Sequence, residues 1–311
     1  MLSFHKEDAL IIDNVSKSYK KGSVLANDSI STYFAPSQIT ALIGHNGAGK
    51  TTLLNQICGN VKSDSGDIFY NGNTLGNNCA LARQLVSTMP QFLAPLAGVT
   101  LRQSIESILL IRGMSKKDMK SYTDNIIRDL QIEKWEKFSG DKLSGGLQRL
   151  TSFAMAVTFP SPIILLDEPT NDVDPVRRKL IWNYMRKLAN NGHVIIVVTH
   201  NLLEVEEYAD RYVMLEKGKV IKEATLNMQR DDSLNNVLTI ALHNNTEIST
   251  WAENIKIHFS NDNKHATILL DKEQTLVAVE WVEKNIIEGK IKSYKLESNS
   301  LKASYGGIIN G

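Results

Sequence analysis

Apolar residues along this chain follow two rhythms, and the changes between them outline a fold. Three short runs without alternation, Ile39–Ile43, Ile163–Leu166 and Val194–Val198, read as strands buried on both faces. The first stops at Gly44, and Lys50 to about Gly59 reads as the helix that follows. Asp174-Pro175 joins an N-cap residue to proline at the first helical position, which predicts a helix to about Asn190. Gly192 then supplies a stop signal. Strands of this type alternating with helices predict a mostly parallel sheet covered by helices. The early stretch with Ile11, Val15 and Tyr19, followed by Ile30 to Phe34, is more strand-like and predicts an antiparallel flank.

Between about Ala94 and Gly140 the rhythm becomes helical, with Leu101–Arg112 and Lys116–Leu130 as the two helices. From about Leu226 it changes again. Asn235–Leu242, Ile255–Phe259, Ala266–Leu270, Leu276–Val279 and Ile291–Leu296 are short β-type runs punctuated by polar segments, and Glu280–Gly289 reads as helix. The expected organisation is an α/β domain over residues 1–224, with a helical subdomain at about 94–150, and a small α+β accessory domain over 225–311. The second domain offers no chemical constellation.

Charge and composition narrow the partners. With 35 basic and 34 acidic side chains the formal charge is +1, which argues against bulk nucleic-acid binding, and no nucleic-acid partner is expected. Cys58 and Cys79 form no disulfide framework or metal set, and both are expected to be buried, reduced thiols. The N-terminal residues lack the apolar run of a signal peptide. The apolar stretches near Phe153–Val157 and Ile163–Leu166 are too short to cross a bilayer. Any membrane role is therefore expected to be peripheral, through a partner that supplies the spanning helices.

The chemistry concentrates in a few places. Gly44-His45-Asn46-Gly47-Ala48-Gly49-Lys50-Thr51, continuing into Thr52, has the phosphate-loop pattern between a strand and a helix. Its glycines let the backbone wrap closely, so that successive N–H groups and a helix N-terminus face phosphate oxygens. Lys50 would reach the β- and γ-phosphates, and Thr51 would offer its hydroxyl to Mg²⁺. Asp167 ends an apolar strand, as expected of a carboxylate that holds Mg²⁺ through water, and Glu168 beside it is placed to act as general base. His200 closes another strand, so it would emerge at the same sheet edge and sense the γ-phosphate. Gln91, just before the helical insert, would reach the metal or the attacking water, and Tyr19 would stack on the adenine ring or join the core of the flanking sheet. Leu143-Ser144-Gly145-Gly146 opens a helix with a glycine pair, a second phosphate clamp.

This ordered set resembles the ATP-binding subunit of an ABC transporter, over about residues 9 to 221. Tyr19 fits the family's aromatic loop, Gly44–Thr51 its Walker A loop and Gln91 its Q-loop. Leu143–Gly146 fits the signature, Asp167-Glu168 the Walker B end, Asp174 the D-loop and His200 the switch histidine. The resemblance implies a P-loop fold of ABC type and ATP with Mg²⁺ as ligands. It also implies a head-to-tail dimer in which Ser144, Gly145 and Gly146 of one subunit complete the ATP site of a second ATP-binding subunit. Transmembrane permease subunits would hold the protein at the cytoplasmic side of the cell membrane, with coupling contacts in the groove near the Q-loop and helical lobe. The short α+β tail is similar to that of subfamilies serving drug or peptide-antibiotic export.

Three departures from the family pattern stand out. His45 replaces the usual proline. The arginine usually found four residues after Gly146 is displaced to Arg149, leaving Leu150 in its place, and one residue turns a helical side chain by about 100°. Asp172 adds a charge to the D-loop. None removes a catalytic group, so competent hydrolysis is expected. The alternatives are a soluble ABC-type ATPase and a regulatory nucleotide sensor. The single cassette and short insert speak against the first, and Glu168 with His200 against the second.

Overall fold

In the computed structural model the described residues are 8–19, 24–76, 78–89, 97–226, 236–243, 248, 250–251, 255, 257–260 and 264–298. The chain divides into two units, Met1–Leu226 and Asn227–Gly311.

The first unit is built on a six-stranded sheet in the order β10-β9-β3-β8-β7-β6. Its strands are β3 (Gln38–Ile43), β6 (Val86–Met89), β7 (Ile163–Asp167), β8 (Val194–Val198), β9 (Arg211–Glu216) and β10 (Lys219–Thr225). All neighbours run parallel except β9 and β10, which form a hairpin. The uniform apolar runs are explained by burial on both faces. In β7, Ile163 and Leu165 join one core cluster while Ile164 and Leu166 join another on the opposite face.

On one face, the apolar side chains meet helix α1 (Lys50–Ile57) and an antiparallel sheet ordered β2-β1-β4-β5. Those strands are β1 (Leu10–Tyr19), β2 (Val24–Phe34), β4 (Ser65–Tyr70) and β5 (Asn73–Thr74). Helix α2 (Cys79–Leu85) also contributes to that core through Ala82. The other face packs α3 (Leu101–Ile111), α4 (Lys116–Asp129), α5 (Gly145–Val157) and α6 (Pro175–Asn190). The core of the helical lobe is continuous with this second cluster, which includes Leu101, Ile105, Ile126, Leu150 and Phe153.

Local capping sets the helix starts. Thr100 forms a capping box with Gln103 at α3, and Ser115, Ser144 and Asp174 cap α4, α5 and α6. A short helix α7 (Leu202–Tyr208) follows β8.

The second unit is an antiparallel sheet ordered β12-β13-β11-β14 with one helix. Its elements are β11 (Asn236–Leu242), β12 (Ile257–Phe259), β13 (His265–Leu270), α8 (Lys272–Ile287) and β14 (Ile291–Ser298). One sequence expectation fails here: Leu276–Val279 is not a strand but lies within α8. Asp271 and Gln274 form a capping box that starts the helix eight residues before the expected Glu280. Ala278 and Val282 then bury on the sheet, a helical spacing that outweighs the β-preference of Val277 and Val279. A second correction concerns the thiols. Both cysteines are free, but only Cys58 is buried; Cys79 is exposed because it occupies the first turn of α2, directly after the N-cap Asn78.

Candidate functional site

The parallel register brings the ends of β3, β7 and β8 to one sheet edge. Leu42 pairs with Val198, and Val198 pairs with Asp167. Residues immediately after these strands therefore converge, which is where open α/β sheets place their ligands. The loop after β3 carries Gly44–Lys50, the turn after β7 carries Glu168, and the end of β8 leads to His200.

The phosphate-type loop is fixed by its glycines. Gly49 has φ of 104°, and a Cβ there would stand 2.3 Å from the Ala26 carbonyl oxygen. No L-side chain fits that combination. His45, Asn46 and Gly47 are exposed at the loop's crest, whereas Ala48 is buried beneath it. The His45 ring lies 2.7 Å from the Asn46 carbonyl oxygen through Nδ1. Lys50 folds across its own loop, donating from Nζ to the carbonyls of Gly44 (2.6 Å) and His45 (3.0 Å). Burial lowers its pKa, and the charges of Glu168 and Asp167 partly restore it. Thr51 is exposed and Thr52 half-buried in the first turn of α1.

Asp167 is buried, and burial raises its pKa, followed by repulsion from Glu168. Lys50 and Arg149 oppose that rise. Glu168 adopts φ of 51°, in the left-handed region that a glutamate enters at a cost of about 1–3 kcal/mol. Its backbone N–H donates to the Val198 carbonyl at 2.9 Å, holding the turn. Glu168 Oε1 lies 2.9 Å from Nδ1 of His200, a ring that is otherwise exposed. The structure thus brings Lys50, Asp167, Glu168 and His200 into one electrostatic group. A hydroxyl at Thr51 and a carboxylate at Asp167 are hard oxygen donors of the kind Mg²⁺ takes. Among the described residues no group of three or more His, Cys, Asp or Glu could hold a metal by itself. Such an ion would take its remaining oxygens from water or a bound phosphate.

The other predicted residues are placed separately. Ser144 caps α5, its Oγ accepting from the Leu147 N–H, and Gly145 and Gly146 form the first turn. Ser144 and Gly145 are exposed. Gly146 abuts the turn after β7: a Cβ there would lie 2.6 Å from the Asp172 carbonyl oxygen. The displaced Arg149 is buried, with its charge acting on Asp167, while Leu150 joins the core. Tyr19 is exposed at the end of β1 and not in the core, with the Lys17 ammonium 5.8 Å from its ring centre. Gln91 lies outside the described residues.

Sequence reasoning missed a buried carboxylate behind this edge. Glu204 of α7 accepts hydrogen bonds from Thr170, Trp182 and Asn201, and pairs with Arg178. The available signal was Asn201-x-x-Glu204 directly after a strand, the spacing of an N-cap with an acidic third residue.

The model of the ABC transporter family matches residues 27–171. The Nod factor export ATP-binding protein I of Paraburkholderia xenovorans is 32% identical over 217 residues, covering 70% of this chain and 71% of that protein. The chain belongs to the ABC transporter family. It carries the family's ATP-binding cassette, an ABC-type ATPase domain of the P-loop fold. The retinal-specific phospholipid-transporting ATPase ABCA4 of Mus musculus is 30% identical over 69% of this chain, which spans only 9% of that much longer protein. Among solved structures, a dimeric bacterial ABC transporter cassette superposes with a TM-score of 0.64 at 25% identity, covering 70% of this chain and 99% of the other. A dimeric cassette in a post-hydrolysis state bound to ADP and Pi gives the same TM-score at 24% identity. Among the described residues no helix is long and apolar enough to cross a membrane.

Proposed function

We propose that this chain hydrolyses ATP to energise export through partner membrane subunits. The observation that supports it most is the convergence of Lys50, Asp167, Glu168 and His200 at one sheet edge, with Glu168 and His200 2.9 Å apart. The backbone N–H groups of Gly44–Thr52 and the N-terminus of α1 cradle the phosphates. Lys50 exchanges its loop carbonyls for phosphate oxygens, and Tyr19, exposed at the end of β1, stacks on the adenine. Mg²⁺ held by Thr51 and Asp167, with Gln91 beside it, would offset phosphate charge. Glu168 accepts the proton of the attacking water, and His200 orients that carboxylate and contacts the γ-phosphate.

Two cassettes pair head to tail, so that Ser144, Gly145 and Gly146 of one close the site of the other. The exposure of Ser144 and Gly145 at a helix N-terminus fits that use. The unit Met1–Leu226 acts as the ATPase domain and Asn227–Gly311 as an accessory domain. The permease docks a helical segment in a cavity of about 780 Å³ bordered by α2, α3 and α5, whose lining includes the apolar Ile108, Ile111, Met155 and Phe159 together with Arg83 and Arg112. Ile111 is 80% exposed there. This attachment keeps the protein peripheral, at the cytoplasmic side of the membrane.

The deciding experiment is Glu168→Gln. It should keep ATP affinity, trap an ATP-bound dimer on size-exclusion chromatography, and lower kcat by about 10²–10⁴-fold. Undiminished turnover would remove Glu168 from the role of base.

A further inference from the structure

Glu204 is a buried carboxylate, 6% exposed, that the hydrolytic scheme leaves without a task. Each of its oxygens is used twice. Oε2 accepts from Thr170 Oγ1 at 2.8 Å and from Trp182 Nε1 at 2.7 Å. Oε1 accepts from Asn201 Nδ2 at 2.7 Å and faces Arg178 Nη1 at 3.2 Å. These donors come from three separate elements. Thr170 sits in the turn that begins at Glu168, Arg178 and Trp182 lie on α6, and Asn201 directly follows His200.

Arg178 extends the reach, donating from Nη2 to the Val173 carbonyl at 3.1 Å. The turn from Glu168 to Asp174 is thus anchored at two points to one carboxylate. Its remaining side bears on Gly146, through the Asp172 carbonyl. Asn201 is also held from the strand side, its N–H donating to Thr199 Oγ1 at 3.1 Å. Glu204 is therefore linked by hydrogen bonds to the chain on both sides of the Glu168–His200 contact.

We propose that Glu204 is a positioning residue for ATP hydrolysis: it sets the spacing of the turn carrying Glu168 and Asp172 from the strand end carrying His200. Glu204 is buried behind the sheet edge and works through its four donors. The inference rests on the ATPase reading above. A buried carboxylate is suited to the task, because charge-assisted hydrogen bonds are short and directional and a neutral replacement cannot accept from all four donors. Glu204→Gln would turn an N–H₂ group toward one of the two donor pairs, pushing either Thr170 and Trp182 or Asn201 and Arg178 away.

The test measures kcat, KM and ATP affinity on the full chain, at a temperature well below the Tm of each variant. Glu204→Gln should lower kcat at least about tenfold while the ATP Kd stays within threefold of wild type. A role confined to stability would lower Tm and leave kcat per folded molecule unchanged, and that result would overturn the proposal. Thr170→Val and Thr170→Ser provide a second arm that leaves the carboxylate in place. The valine variant should lose turnover and the serine variant, which keeps the hydroxyl, should recover it. Wild-type turnover in Thr170→Val would overturn the link to the Glu168 turn, whatever Glu204→Gln does or whether it folds. Absence of Mg-ATP turnover in the wild-type chain would instead sink the ATPase reading itself.

Discussion

Single residues at the sheet edge can be tested one at a time. Lys50→Ala removes an ammonium that burial has left partly desolvated beside the loop. A charge-assisted hydrogen bond contributes about 1.5–3 kcal/mol, so the ATP Kd should rise by about tenfold or more in equilibrium binding. Unchanged affinity would refute a phosphate contact. Cysteine chemistry offers a probe that is independent of nucleotide. Burial pushes the Cys58 thiol up to about 11, with a hydrogen bond to Thr88 opposing the rise, while Cys79 is exposed. Native protein at pH 8 should therefore react with a thiol reagent at one site, identified by peptide mapping as Cys79, and at both sites after denaturation. Neither the burial of Arg149 nor the exposure of Cys79 was legible in the sequence. Both depend on which side of a helix turns inward, and a displaced arginine or a helix-start cysteine carries no mark of that.

At the scale of elements, the strands and helices around the nucleotide loop were readable because their signals agree. The uniform apolar runs, Gly44, and the Asp174-Pro175 start all point the same way, and β3, β7, β8 and α6 match those expectations closely. The run Leu276–Val279 was misread because composition was weighed without the Asp271/Gln274 cap just before it. Glu204 escaped because its significance lies in donors from three elements far apart in sequence. Capping can be tested directly at α6, where the Asp174 side chain accepts from the Arg177 N–H at 3.1 Å. Asp174→Ala should destabilise the protein by about 1 kcal/mol, read as a lower urea midpoint at unchanged m. The slight burial of the Asp174 carboxyl opposes its ionisation, but its hydrogen bonds with Arg177 prevail and its pKa is lowered. A depressed folded pKa contributes stability above the unfolded value and loses it as pH falls. The difference between wild type and Asp174→Ala should therefore narrow below about pH 4.

For the whole molecule, the division at Leu226 predicts that a fragment ending there folds cooperatively and binds ATP. Loss of binding by a fragment that still unfolds cooperatively would show that the second unit contributes to the site. The cavity beside α3 makes a complementary prediction. Ile111→Glu places a charge on its most exposed apolar position. It should leave ATP affinity unchanged and abolish co-purification with the membrane subunit; retained co-purification would move the docking site elsewhere.

The close approach of Gly146 to the Asp172 carbonyl has a mechanical consequence. Helix α5 begins at Gly145 and runs 13 residues, about 20 Å, to the cavity rim near Ala156. Leu150, Phe153 and Val157 bury the rest of the helix on the sheet, so its first turn has no freedom to back away from the Asp172 carbonyl. A side chain at position 146 would collide with that carbonyl. Gly146 is thus a spacer between α5 and the turn after β7, and even alanine there should displace one from the other.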